Sequence, residues 1–315
     1  MHNDLTAIIA AIRAQPWAIM PEYLEAIEAV AARALDADVL ARIAGDSHHR
    51  TIGASWSALA AVGMPLDGAT SATQRDGAAI IPMLGPIFPR SSMISASSDG
   101  TSLSTMMRDL RVANASEQID RIVMLVDSPG GVVSGLGEAA DEIAASRKPV
   151  TAFVTGMCAS AAYWLSSQAR EIVMDRSAYA GSLGVVATVT RQEAVGQDGR
   201  RAYEIVSSGA PLKRADPSTE EGRAALQADV DAAEAVFFAD VARGRRVSLE
   251  TISSDFGQGG MLAAERAVRV GMADRIGTLE GVLSQVSGRT RSNTGGRRAL
   301  AAAELETRRR AADRS

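Results

Sequence analysis

Histidine is nearly missing from this chain, and its three copies, His2, His48 and His49, all lie far ahead of the apolar and glycine-rich middle. A serine–histidine–aspartate triad is therefore disfavoured, because the middle region that carries the candidate serine contains no imidazole. Cysteine occurs once, at Cys158, which excludes an intramolecular disulfide and any dependence on an oxidising compartment, so a cytoplasmic protein is expected. Aromatics make up only 4% of residues while alanine is abundant, a balance that favours close-packed helices over an aromatic-rich β-sandwich. Positive charge is not in excess: 33 Lys and Arg face 37 Asp and Glu, for a formal charge of -4. That removes the basic footprint of a nucleic-acid partner. No apolar run approaches the roughly 20 residues that span a bilayer. Met1 to Ala14 also lacks a cationic start leading into an apolar stretch, so no membrane anchor or leader is expected. No histidine–carboxylate group or cysteine pair has metal-ligand spacing in the middle region, and His48-His49 reads as a surface pair.

What is present is an alternation of strands and helices. Ala78 to Leu84, Ile122 to Val126, Val150 to Val154, Ile172 to Met174 and Val185 to Val189 are short apolar runs bounded by turn residues, the pattern of strands buried on both faces. Ser102 to Ala113 and Ser134 to Ser146 have helical spacing between them, which predicts a mainly parallel sheet. A long helix is predicted from Pro217-Ser218-Thr219-Glu220-Glu221 to Arg243, and a further one over Leu262 to Val270, before a last apolar segment near Ile276 and Leu279. Ahead of the sheet, Leu5 to Ala44 predicts short amphipathic helices broken by Pro16 and Pro21, and Gly53 to Asp76 reads as a connector. Three regions are thus expected: an N-terminal helical region with connector over 1–76, an α/β domain over 77–285, and a basic tail over 286–315 that is mobile or a partner-binding helix.

Two segments carry chemistry. Ser160, in Met157-Cys-Ala-Ser-Ala-Ala-Tyr-Trp164, follows a strand and opens a helix-like run. A serine there suits a helix N-cap, and equally a nucleophile whose developing charge the helix start would favour. Asp127-Ser-Pro-Gly-Gly131 leaves a buried strand through paired glycines, whose amides can turn toward a ligand without Cβ obstruction; alone this is also an ordinary tight turn. With no imidazole at hand, the remaining activator is a lysine. An ordinary ammonium near pKa 10.4 must be lowered by roughly three units to act as a base at neutral pH, so a lysine base has to be desolvated or set beside a cation. Lys213, in Ser207-Ser-Gly-Ala-Pro-Leu-Lys213, is the one best placed on loop-like sequence; Lys148, before Pro149 at a helix end, reads as structural. Cys158 has no imidazole partner either and reads as buried packing.

In order and spacing, Asp127-Ser-Pro-Gly-Gly131, Ser160-Ala-Ala-Tyr-Trp164, Gly181-Ser-Leu-Gly-Val185 and Gly209-Ala-Pro-Leu-Lys213 resemble the S49 peptidases, a likeness running from Ala78 to Val282. The resemblance implies a ClpP/crotonase-like spiral of βαβ units and a serine endopeptidase needing no cofactor or metal. It also implies Ser160 as nucleophile, Lys213 as general base, Ser182 as the hydroxyl that orients the lysine amine, and Gly131 and Ala161 as the oxyanion amides. Ala161-Ala162 stands where signal-peptide-degrading members often carry paired glycines, and Arg214 follows Lys213 where an acidic residue is usual. The Ala-Ala-Tyr-Trp form and the segment with Trp17 and Pro21-Glu22 look more like the phage and prophage branch. A prohead protease is therefore expected, acting on scaffold, portal or capsid proteins as a homo-oligomer, in the host cytoplasm or the assembling prohead. The alternatives are a signal peptide peptidase-like enzyme, a crotonase-like acyl-CoA enzyme using carboxylates, and an inactive capsid or scaffold subunit on the same fold.

Overall fold

The computed structural model describes residues 17–20, 63–90, 100–189 and 206–284. Along the chain, strands β1 (Trp17–Ile19), β2 (Met64–Pro65), β3 (Thr73–Arg75), β4 (Ala78–Leu84), β5 (Ile87–Phe88) and β6 (Thr101–Ser102) precede helix α1 (Leu103–Ala115). Then follow β7 (Arg121–Ser128), β8 (Gly130–Val132), α2 (Leu136–Ala144), β9 (Val150–Ala159), α3 (Ala161–Ser166), β10 (Glu171–Met174) and β11 (Tyr179–Gly181). A 3₁₀ turn (Pro211–Arg214) leads into α4 (Glu220–Arg245), α5 (Leu249–Asp255), β12 (Met261–Ala263), α6 (Ala264–Arg269) and β13 (Arg275–Ile276).

A nine-stranded sheet runs β12-β11-β9-β7-β4-β3-β2, with β10 and β13 beside the first half of β9. Its centre is parallel: β4 pairs with β7 from Ala78↔Arg121 to Leu84↔Asp127, and β7 with β9 from Ile122↔Val150 onward. These strands read as unbroken apolar runs because both faces are covered. Ala79, Ile81 and Met83 face the core beneath α1, α2 and α3, while Ala78 and Ile80 join Val123, Leu125, Phe153 and Val282 on the other side. Pro82 is tolerated in β4 because β3 pairs only with Ala78 to Ile80, so no ladder bond is asked of it on that edge. A register shift between Val126 and Ser128 bends the end of β7. One residue later, after Pro129, β8 leaves for a second sheet of order β1-β8-β5-β6.

Four expectations are corrected. The segment around Trp17 is not helical over Trp17–Ile19: it is a strand antiparallel to β8. The four residues between Pro16 and Pro21 are too few for a helix, and the proline that follows Met20 biases that residue toward extended backbone. The connector before residue 77 holds β2 and β3, and Asp76 (φ 50°) and Gly77 (φ 80°) form a turn with two left-handed residues that joins β3 to β4, so a boundary at 76 and 77 cuts a hairpin. Val185 to Val189 is not a strand; only Val186 bridges, and it bridges to Trp17. Leu262 to Val270 divides into β12 and the short α6. The rest of the expected N-terminal helices, the three histidines and the basic tail over 286–315 lie outside the described residues.

Candidate active site

Ser160 joins the end of β9 to the start of α3 in a conformation that L-residues rarely adopt, φ 53° and ψ -117°. Such backbone costs of order 1–3 kcal/mol and persists only where the surroundings impose it. The surroundings here are close. Ser160 N–H donates to Gly181 O (2.8 Å), its carbonyl accepts from Trp164 N–H (2.9 Å), and the residue is 1% exposed. The N-cap expectation fails: the side chain makes no cap hydrogen bond and instead points at Gly184 O, 3.5 Å away. A strand-to-helix turn of this kind holds a serine hydroxyl off the helix that follows it and leaves the first amides of that helix without intrahelical acceptors.

The glycine turn reaches the same place. Gly130 has φ 101°, and a Cβ built on it would stand 3.0 Å from Ser160 Cβ and 2.2 Å from Ala18 O, so only glycine lets β8 approach the serine. Gly131 is packed as tightly on its other side, where a Cβ would meet Ile87 O at 2.0 Å. Ser128 Oγ accepts from Gly130 N–H (3.2 Å), fixing the turn from inside. Ser182 lies between Gly181 and Gly184, the two residues that touch Ser160; it is half-buried, with φ 54°, and its hydroxyl has no partner among the described residues. Ala161, the first residue of α3, is fully buried beside the serine. The structure thus brings Ser160, Gly131, Ala161 and Ser182 into one neighbourhood.

No described hydrogen bond joins Lys213 to these four residues. Lys213 is exposed on the 3₁₀ turn, and its amine meets no described residue at hydrogen-bonding distance. The described residues leave the Lys213 side chain exposed, whereas a lysine base requires enclosure. Lys148 is no substitute: it sits ahead of β9, at the far end from Ser160, donating to Ala113 O (2.6 Å) and Ser116 O, and burial pulls its pKa down. Cys158 is buried, with its thiol donating to Ser166 Oγ (3.4 Å) and pushed up to about 12 by desolvation, so it is packing rather than a thiolate. Among the described residues no group of His, Cys, Asp and Glu could hold a metal, and no helix is long and apolar enough to cross a membrane.

The helix behind the serine is clamped. Trp164 stacks on Phe237 of α4 (centroids 4.6 Å apart, planes 7° from parallel) and its indole N–H donates to Asp240 Oδ2 (2.8 Å). Tyr163 OH donates to Met272 O (2.9 Å), and its ring meets Phe256 edge-on. Asp127, at the bend of β7, accepts from Met157 N–H (2.9 Å), which ties the strand that delivers the glycines to the strand that delivers Ser160; its carboxyl is raised by desolvation.

A two-layered α/β domain with a serine on a strained turn against a glycine strand defines a class, and comparison with known proteins agrees with it. Residues 88–180 match the Clp protease family, which places the fold in the ClpP/crotonase-like α/β class. Residues 142–290 match peptidase family S49, a little under half of the chain. Relatives include the capsid assembly protease C of Escherichia phage lambda, 26% identical over 64% of this chain. Protease 4 of Salmonella typhi is 27% identical over 58%, and the head-tail preconnector protein GP5 of Enterobacteria phage P21 is 24% identical over 70%. This chain spans 46%, 30% and 45% of the lengths of those three proteins.

Sequence reasoning missed two features of the site. One is the positive φ of Ser160, which no propensity reveals. The other is β1: Trp17-Ala18-Ile19 between two prolines is a signal for extended chain, but its partners, Gly130–Val132 and Val186, are remote in sequence.

Proposed function

We propose that this chain is a serine endopeptidase that processes proteins of an assembling phage head, with Ser160 as nucleophile. The observation that carries the reading is the buried, strained Ser160 held between the glycine strand and the Gly181–Gly184 loop. In the proposed reaction Ser160 Oγ attacks a peptide carbonyl while its proton passes to Lys213. The tetrahedral oxyanion is held by the amides of Gly131 and Ala161, each such donor being worth about 2.7–4 kcal/mol. Collapse breaks the C–N bond, the lysine proton goes to the leaving amine, and water hydrolyses the acyl-enzyme. Ser182 orients the lysine amine. Because Lys213 and its neighbour Leu212 are exposed, the latter at 57%, we assign the missing enclosure to a second copy within a homo-oligomer.

The phage relatives support head proteins as substrates, with scaffold, portal or capsid proteins as the class. A crotonase-like acyl-CoA reading has less support, since the carboxylate nearest the glycines, Asp127, is committed to Met157 N–H. The test is incubation of purified head proteins with the chain, followed by intact-mass measurement. Discrete fragments from wild type and none from Ser160→Ala are expected; no fragments from either, or the same fragments from both, would overturn the proposal.

A further inference from the structure

The groove beside Ser160 is already filled, and its occupant belongs to this chain. Strand β1 enters between β8 and Val186 and pairs with both. On one side the register is Trp17↔Val132, Ala18↔Gly131 and Ile19↔Gly130, with Met20 N–H donating to Pro129 O (3.1 Å). On the other, Trp17 N–H donates to Val186 O and Val186 N–H to Trp17 O, both at 2.9 Å. This is an extended peptide inserted between two edges, the mode in which main-chain bonds give affinity and alternate side chains give selectivity.

The register matters. Hydrogen-bonded pairs alternate along an antiparallel ladder. The bond at Met20 and Pro129 therefore places the next such pair at Ala18 and Gly131, and turns Gly131 N–H toward the Ala18 carbonyl. The position a Gly130 Cβ would take is 2.2 Å from Ala18 O and 3.0 Å from Ser160 Cβ, so that carbonyl and the serine flank the same spot. The side chains fit too: Ala18 is fully buried and small, while Trp17, 1% exposed, packs edge-on against Phe88 at 6.3 Å.

Resting on the reading of Ser160 as nucleophile, we propose that Trp17–Met20 is an internal substrate-like strand that blocks the peptide groove and displays its preference. That preference is a small residue whose carbonyl faces Ser160, preceded by a large apolar one, with Ala18–Ile19 as the bond presented. External peptides bind only when this strand withdraws, so apparent affinity is scaled by the fraction of chains in which the groove is open.

The test compares the full chain with its Ala18→Arg variant, whose side chain has no room at a fully buried position. The rate of Ser160 modification by a fluorophosphonate is read by peptide mapping, with a cooperative melt as the check on folding. Labelling about tenfold faster or more in the variant is expected. Equal rates would overturn the self-block and leave Ser160 standing, whereas no label on Ser160 in either protein would overturn both readings. A second measurement uses wild type alone: hydrogen exchange at the Trp17 and Met20 amides, with and without a peptidyl phosphonate ending in Trp-Ala bound at Ser160. Exchange should rise when the inhibitor is seated; unchanged protection with full occupancy would show that β1 lies outside the groove.

Discussion

At the scale of single residues, the site is a local exception that the rest of the fold sustains. Ser160 sits at φ 53° and ψ -117°, a conformation that glycine takes without penalty. Ser160→Gly should therefore lose activity yet gain about 1 kcal/mol of stability, measured by denaturant unfolding. A clear loss of stability would mean the turn is not strained. Asp127 gives a prediction in pH. Its carboxyl is raised by burial, so the folded state binds that proton more tightly than the unfolded chain. The contribution to stability is thus present below the ordinary carboxylate range and is lost as pH rises through the raised value. Asp127→Asn keeps an acceptor for Met157 N–H and removes the titration. The variant should melt higher than wild type at pH 7, with the gap closing near pH 3. The residue types of the site were legible from sequence, because glycine pairs and a serine among alanines are chemically distinctive. The backbone of Ser160 was not legible, since a positive φ is imposed by packing against Gly130 and Gly181 rather than by the serine.

At the scale of elements, β9 and α3 act together as a rigid mount for the nucleophile. The indole of Trp164 both stacks on Phe237 and donates to Asp240. Trp164→Ala should cost about 3–5 kcal/mol in unfolding free energy and also slow Ser160 labelling. Unaltered labelling in the folded variant would show that α3 holds its place without this contact. The strands β4, β7, β9 and β10 were readable because burial on both faces writes itself as a continuous apolar run, as in Ile80-Ile81 and Ile122-Val-Met-Leu-Val126. Short strands defined by a distant partner were not. Thr73–Arg75 carries no apolar period, Met261–Ala263 begins what reads as one helix, and β1 exists only because β8 and Val186 receive it.

At the scale of the molecule, the sheet gathers the serine, the glycine amides and the Ser182 turn at one end, while the proposed base is exposed on its 3₁₀ turn. Order and spacing of motifs carried the likeness to a family, but spacing along a chain does not state whether two motifs meet; Lys213 is exposed while Ser160 is buried. If a second copy encloses Lys213, activity per chain must fall on dilution in step with the loss of the oligomer. Mass photometry and peptide hydrolysis measured over the same concentration range check this, and constant specific activity in a monomer would contradict it. The most direct test of the whole account is the address of a covalent inhibitor. After exhaustive reaction with a fluorophosphonate, wild type and the Ala18→Arg variant should carry one adduct, mapped by mass spectrometry to Ser160 and absent from Ser160→Ala. An adduct on another residue, or none on Ser160 in either protein, would contradict it.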